Sequence, residues 1–123
     1  MARTYSKQTL HLDISTTAWL AGLLEGEGTF TLYKAKQPRV GLEMTDKDVV
    51  TKYADLLGVK VSHKPSKNPL HKDSYQTWVL KSQVIADLLH QILPYMGERR
   101  SIKIRELLAN LLDRGITPSI VSN

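Results

Sequence analysis

The chain of 123 residues has no cysteine. That excludes disulfides, iron–sulfur clusters and thiolate zinc sites. It has no apolar run near the roughly 18 residues that a membrane span needs. Its first residues, Met1 to Leu12, lack the apolar stretch of a signal peptide. The expectation is an intracellular protein (cytoplasm, nucleoid or organelle) with no membrane partner. There is no internal repeat, low-complexity tract or linker, and the length suits a single domain over residues 1–123. Residues 1–12 and 115–123 read as flexible margins. No P-loop is present, and Gly26-Glu27-Gly28 lacks the third glycine of a dinucleotide fingerprint. No Ser–His–Asp arrangement can be built. His11, His63, His71 and His90 have no metal-ligand spacing.

Acids are also missing locally. Lys and Arg number 17 against 12 Asp and Glu, a net charge of +5. Gly28 to Leu42 holds Lys34, Lys36 and Arg39 and no acid; Lys60 to Lys72 holds four lysines and two histidines and no acid. Such a balance suits a polyanionic partner, nucleic acid first. The plainer alternatives are solubility and edge strands guarded by lysine.

Hydrophobic periodicity gives the order α-β-β-α-β-β-α-α. Ser15, Thr16 or Thr17 offers the cap of a first helix through Leu24, which Gly26 and Gly28 can close. Thr29 to Tyr33 and Val40 to Met44 alternate as a hairpin, with Gln37-Pro38 read as its turn. A helix over about 46–57, capped by Thr45 or Asp46, ends at Gly58. Strands over about 59–64 and 75–80 flank a loop over 65–74 and form a second hairpin. Helices over about 83–93, capped by Ser82, and 99–114 follow. Trp19 is expected to pack on the sheet; Trp78 and Tyr75 belong to the second hairpin's core or to its DNA face, with the core preferred for Trp78. The fold class is therefore α+β: one antiparallel sheet with helices on one face and the other face open.

Period-2 alternation sets Thr31, Tyr33, Gln37 and Arg39 opposite the apolar residues, and Lys60, Ser62 and Lys64 likewise. Cations for phosphates, with hydroxyls and amides for base edges, suit a ribbon in the DNA major groove. Arg99, Arg100, Lys103 and Arg105 make a basic start to the last helix; it is either a solvated face or a phosphate contact.

The segment Leu20-Ala21-Gly22-Leu23-Leu24-Glu25-Gly26-Glu27-Gly28 is unusual for a plain core helix. Gly22 in a helix interior costs about 1 kcal/mol relative to alanine. Its small residues would let a second copy of the helix approach closely about a two-fold axis. Glu25 and Glu27 oppose the helix dipole. They are either solvated end residues or oxygen donors for a divalent cation such as Mg²⁺.

Those nine residues resemble the motif of the LAGLIDADG homing endonucleases. Met44-Thr45-Asp46-Lys47-Asp48 and Leu93-Pro94-Tyr95-Met96-Gly97-Glu98-Arg99-Arg100 extend the resemblance over about residues 15–113. It implies an αββαββα core whose hairpins form a saddle over DNA. It further implies a homodimeric enzyme cutting both strands of a long near-palindromic site and leaving short 3′ overhangs, as in intron homing. Glu27, with the Gly26 carbonyl, would hold Mg²⁺, or Mn²⁺ or Ca²⁺ in its place; Asp46 would help hold a water, and Arg99 would serve the scissile phosphate. Thr31, Tyr33, Gln37, Arg39 and Glu43 are the expected base readers, with Lys34, Lys36, Lys60, Ser62, Lys64 and Arg100 also on the DNA. Leu20, Ala21, Gly22, Leu24 and Glu25 are the expected dimer contact. The alternative on the same scaffold is a non-cleaving binder, an intron maturase or a DNA-binding regulator.

Overall fold

The computed structural model describes residues 10–119. Helix α1, Ile14–Glu27, is opened by Asp13, whose carboxylate accepts the Thr16 N–H at 2.7 Å. The cap therefore precedes the Ser15–Thr17 hydroxyls proposed for it. A carboxylate two positions before Ser15 already meets a free N–H group, and the Thr17 hydroxyl back-bonds to the Asp13 carbonyl at 2.7 Å. At its other end α1 passes into strand β1, Gly28–Tyr33, with no loop between. The Gly28 N–H donates to the Leu24 carbonyl. A Cβ on Gly28 would lie 2.7 Å from both that oxygen and the Leu24 Cδ2, so only glycine fits the joint.

Strand β2 is Gln37–Met44 and pairs antiparallel with β1. The turn falls at Lys34–Lys36 rather than at Gln37-Pro38. Lys34 and Ala35 take positive φ values of 52° and 59°, and the Lys36 N–H closes on the Tyr33 carbonyl at 3.0 Å. Pro38 sits inside the strand opposite Leu32. On the side of β2 away from β1 the neighbouring strand pairs only from Val40 onward, so on that side no ladder needs a proline N–H.

Helix α2, Lys47–Leu57, ends on Gly58 at φ 69°, as its glycine implies. Asp46 holds the cap position without a side-chain capping bond. Strand β3 is only Ser62–Lys64, shorter than the 59–64 expected. The buried Thr77 hydroxyl takes the Lys60 carbonyl at 2.8 Å in place of a backbone ladder. Strand β4 is Ser74–Val79, and α3, Ser82–Ile92, starts from Lys81 rather than from a Ser82 cap. A 3-10 turn, Leu93–Tyr95, leads to α4, Glu98–Asp113.

The sheet order is β1-β2-β4-β3, antiparallel throughout. One face, with Phe30, Val40, Leu42 and Val79, shares a single core with Leu20 and Leu24 of α1, Tyr53 of α2, Leu88 and Leu89 of α3, and Ile104 and Leu107 of α4. Trp19 packs against that core, and the Lys52 ammonium of α2 lies 4.2 Å from its ring centroid. Among the described residues no helix joins the opposite face.

Both margins of the described chain are tied to α3. The buried Asp87 carboxylate accepts from the Leu10 N–H at 3.3 Å, from Gln83, and from both the N–H and the hydroxyl of Ser119 at 2.7 Å each. Gln91 accepts from the Leu12 N–H and donates to the Leu10 carbonyl. Residues 10–12 and 115–119 thus have specific partners, although the sequence there reads as loose; residues 1–9 and 120–123 lie outside the described residues. Asp87→Ala leaves the donors of Leu10, Gln83 and Ser119 without their shared acceptor. It is expected to lower the unfolding free energy by about 2–4 kcal/mol, read from urea denaturation.

Candidate nucleic-acid interface and metal centre

The antiparallel register decides which side chains share the open face. β1 contributes Thr29, Thr31 and Tyr33, and β2 contributes Gln37, Arg39, Gly41 and Glu43. β4 adds Ser74, Gln76 and Trp78 through the pairs Glu43–Gln76 and Gly41–Trp78; β3 adds Ser62 and Lys64. Thr31, Tyr33, Gln37, Arg39, Glu43, Ser62 and Lys64 are therefore brought together as the alternation implied. Lys34 and Lys36 occupy the hairpin tip, and Lys60 is exposed just before β3. Ser74 and Gln76 were missed. Their place was readable only by carrying the alternation of Ser62 and Lys64 across a strand pair whose register the sequence does not state.

Trp78 is not in the core. Its ring lies across Gly41 on the open face, and a Cβ at Gly41 would come within 2.6 Å of the indole. The missing side chain makes room for the ring, and even parity sets Trp78 with Gln76 rather than with the buried Thr77 and Val79. Tyr75 falls on the helix side and stacks on His63 at 5.2 Å; His63 in turn meets Asp73 at 2.8 Å.

Glu43 carries the open face's negative charge. Its carboxylate accepts from the Ser74 hydroxyl at 2.8 Å and from the Lys64 ammonium at 3.2 Å. The Ser74 hydrogen bond, and after it Lys64, holds its pKa below the ordinary 4.5.

Glu27 ends α1, exposed, and lines a surface hollow with Glu43, Met44, Thr45 and Ser74. Carboxylate oxygens beside the carbonyls freed at a helix end suit a hard divalent cation. Gly26 precedes Glu27 at that end. Among the described residues no three His, Asp or Glu side chains gather to form a complete metal centre. Asp46 is exposed one residue beyond Thr45, and its carboxylate accepts from the Thr45 hydroxyl at 3.4 Å. Arg99 is exposed on the first turn of α4 and lines a separate hollow with Phe30, Arg100, Ile102 and Lys103. Glu27 and Arg99 are thus not brought to one hollow within a chain.

Three expectations need correction. Arg100 is turned inward: its Nε donates to the Glu25 carbonyl at 3.2 Å and its guanidinium lies over the Phe30 ring, away from the open face. Glu25 is likewise occupied within the chain, its Oε1 accepting the Gly97 N–H at 2.7 Å at the start of α4. Leu20, Ala21 and Leu24 are buried in the chain's own core and cannot form an outer helix contact. The outer face of α1 consists instead of Ala18, Gly22 and Gly26, all exposed, and a Cβ on either glycine would meet nothing within 4 Å.

With this geometry in place the chain can be assigned: it belongs to the LAGLIDADG family, since the model of the LAGLIDADG-like domain matches residues 15–93. Solved structures share the fold at low identity. The homing endonuclease I-CvuI, in complex with its target in the presence of calcium, superposes with a TM-score of 0.54 at 19% identity, covering 77% of this chain and 64% of its own. The homing endonuclease I-TnaI gives 0.53 at 16%, covering 80% and 74%. The group I intron-encoded I-CeuI, complexed with DNA, gives 0.59 at 12%, covering 87% and 59%. The chain thus spans a little under two thirds of I-CvuI. No curated protein sequence matches it. No described helix is long and apolar enough to cross a membrane.

Two outcomes test this geometry. Gly41→Ala must displace the Trp78 ring and is expected to cost about 1–3 kcal/mol in thermal or urea unfolding. Because the Glu43 pKa is depressed on folding, its contribution is present above pH 4.5 and is lost as pH falls through the folded value. The stability difference between wild type and Glu43→Gln should therefore shrink in urea titrations taken from pH 7 to pH 3.

Proposed function

We propose that the protein is a homodimeric, metal-dependent endonuclease that cuts both strands of a specific, near-palindromic DNA site. The observation that carries this reading is the position of Glu27, exposed where α1 meets the sheet, in the hollow that also opens onto Glu43 and Ser74 of the helix-free face.

Two copies joined through Ala18, Gly22 and Gly26 would bring two Glu27 carboxylates together at the dyad. That would supply the donors a single chain lacks. Glu27 and the Gly26 carbonyl would hold a divalent cation (Mg²⁺, with Mn²⁺ or Ca²⁺ in its place), which would supply charge for in-line attack of water on a phosphodiester. Asp46 orients that water. Arg99 faces the charge that develops on the phosphate. The open sheet lies in the major groove over one half-site, where Thr31, Gln37 and Arg39 meet base edges. Lys34, Lys36 and Lys60 meet phosphates at its rim, so affinity falls steeply with added salt. Glu25 and Arg100 act only by holding α4 to the end of α1. The location that fits this reading is wherever the target genome is kept.

The test is cleavage of a randomised near-palindromic duplex library with Mg²⁺. Wild type should yield cut sites with a two-fold-symmetric consensus. Glu27→Gln should lose cutting by several orders of magnitude while retaining salt-sensitive binding. Binding by wild type without cutting would replace the reading with a non-cleaving nucleic-acid-binding protein. Equal cutting by Glu27→Gln would remove Glu27 from the metal site.

A further inference from the structure

Tyr33 and Arg39 form a unit on the open face. They lie on paired strands, Tyr33 opposite Gln37 and Arg39 opposite Thr31, so they are diagonal neighbours on one side of the sheet. The Arg39 Cζ sits 3.6 Å from the centroid of the Tyr33 ring, a stacking contact. The Lys34 ammonium lies 5.4 Å from the same centroid. Two cations thus share one ring. Among the described residues the ion pairs are His63–Asp73, Lys64–Glu43 and Lys103–Glu106, so no acid neutralises Arg39. Its Nε is buried and has no hydrogen-bond partner. The guanidinium is therefore laid down and partly desolvated without an anion of this chain to bind.

An arginine meant only for phosphate has no need of that arrangement. Phosphate contacts tolerate a mobile charge, and the lysines of the hairpin tip already supply one. A stacked guanidinium has lost its rotamer freedom before binding and offers its remaining N–H groups as a fixed fork. In the major groove the acceptor pair that matches such a fork is O6 and N7 of guanine.

We propose that Arg39 reads a guanine in each half-site and that Tyr33 is its positioning residue, holding the fork flat against the sheet. The proposal rests on the DNA-binding reading above and adds to it the base recognised and the residue that orients the reader. Tyr33 acts through its ring. It is 42% exposed, so its removal does not open the core.

The experiment enriches randomised duplex DNA by binding in Ca²⁺. It uses the full chain and the variants Arg39→Lys, Arg39→Ala, Tyr33→Phe and Tyr33→Ala, each confirmed as folded by thermal denaturation. Wild type should select a consensus with a guanine in each half-site. Arg39→Lys, which keeps the charge but loses the fork, should flatten that position alone, reducing its preference on the order of 10- to 100-fold. Tyr33→Phe should retain the guanine and Tyr33→Ala should lose it, a contrast that a merely structural tyrosine would not give. An unchanged consensus in Arg39→Lys would overturn the proposal. So would an Arg39→Ala variant that weakens all sequences equally and lowers the salt slope by about one, the signature of a phosphate contact. A guanine preference that survives Tyr33→Ala would remove the positioning role. Failure of wild type to enrich any duplex would instead refute the DNA-binding reading on which the proposal stands.

Discussion

The passage from α1 to β1 without a loop organises the rest of the molecule. It is possible because Gly28 lies against the Leu24 carbonyl, where a Cβ would sit 2.7 Å away. The joint orients two acids differently. Glu25, one turn of backbone before the strand, points toward α4 and accepts the Gly97 N–H. Its carbonyl, which has lost a helical partner, takes the Arg100 Nε. Glu27, at the last helical position, faces the end of β2. A single glycine therefore helps decide that one carboxylate ties the fold together while its neighbour stays open to solvent.

The sheet divides its labour in the same way. Its inner face joins residues of all four helices in one core, which leaves the outer face free of any packing duty except its own. There the order is local: the Trp78 ring over Gly41, Arg39 over Tyr33, and Glu43 held by Ser74 and Lys64. A polar face fixed in this way resists collapse onto itself and keeps donors and acceptors in place for a partner. The Asp87 clasp ties Leu10 and Ser119, at the two ends of the described residues, to α3.

Much of the fold was legible in the sequence because the two periods are well separated along it. Phe30 and Leu32 alternate cleanly, Val50, Tyr53 and Leu57 recur at helical spacing, and Gly58 takes the left-handed cap its position implied. The first turn was misread for a physical reason. Lys34 and Ala35 carry no turn signature, yet they adopt positive φ because the hairpin twist demands it, at a strain of roughly 1 kcal/mol or more each. Pro38 looked like punctuation, but it lies within β2 opposite Leu32 of β1, ahead of the stretch that β4 pairs.

What the sequence by itself determined is local: element order, the end of α1, the acid-free hairpins, and the resemblance that singled out Glu27. Those features depend on residues close together along the chain. Only the tertiary structure decided that Leu20, Ala21 and Leu24 turn inward while Ala18, Gly22 and Gly26 face out. It also set Trp78 on the open face, turned Arg100 to the Glu25 carbonyl, and laid Arg39 on Tyr33. Each of those outcomes depends on a register or a packing direction between separate elements. One face of a helix and one parity of a strand become inner or outer only when another element arrives to cover them.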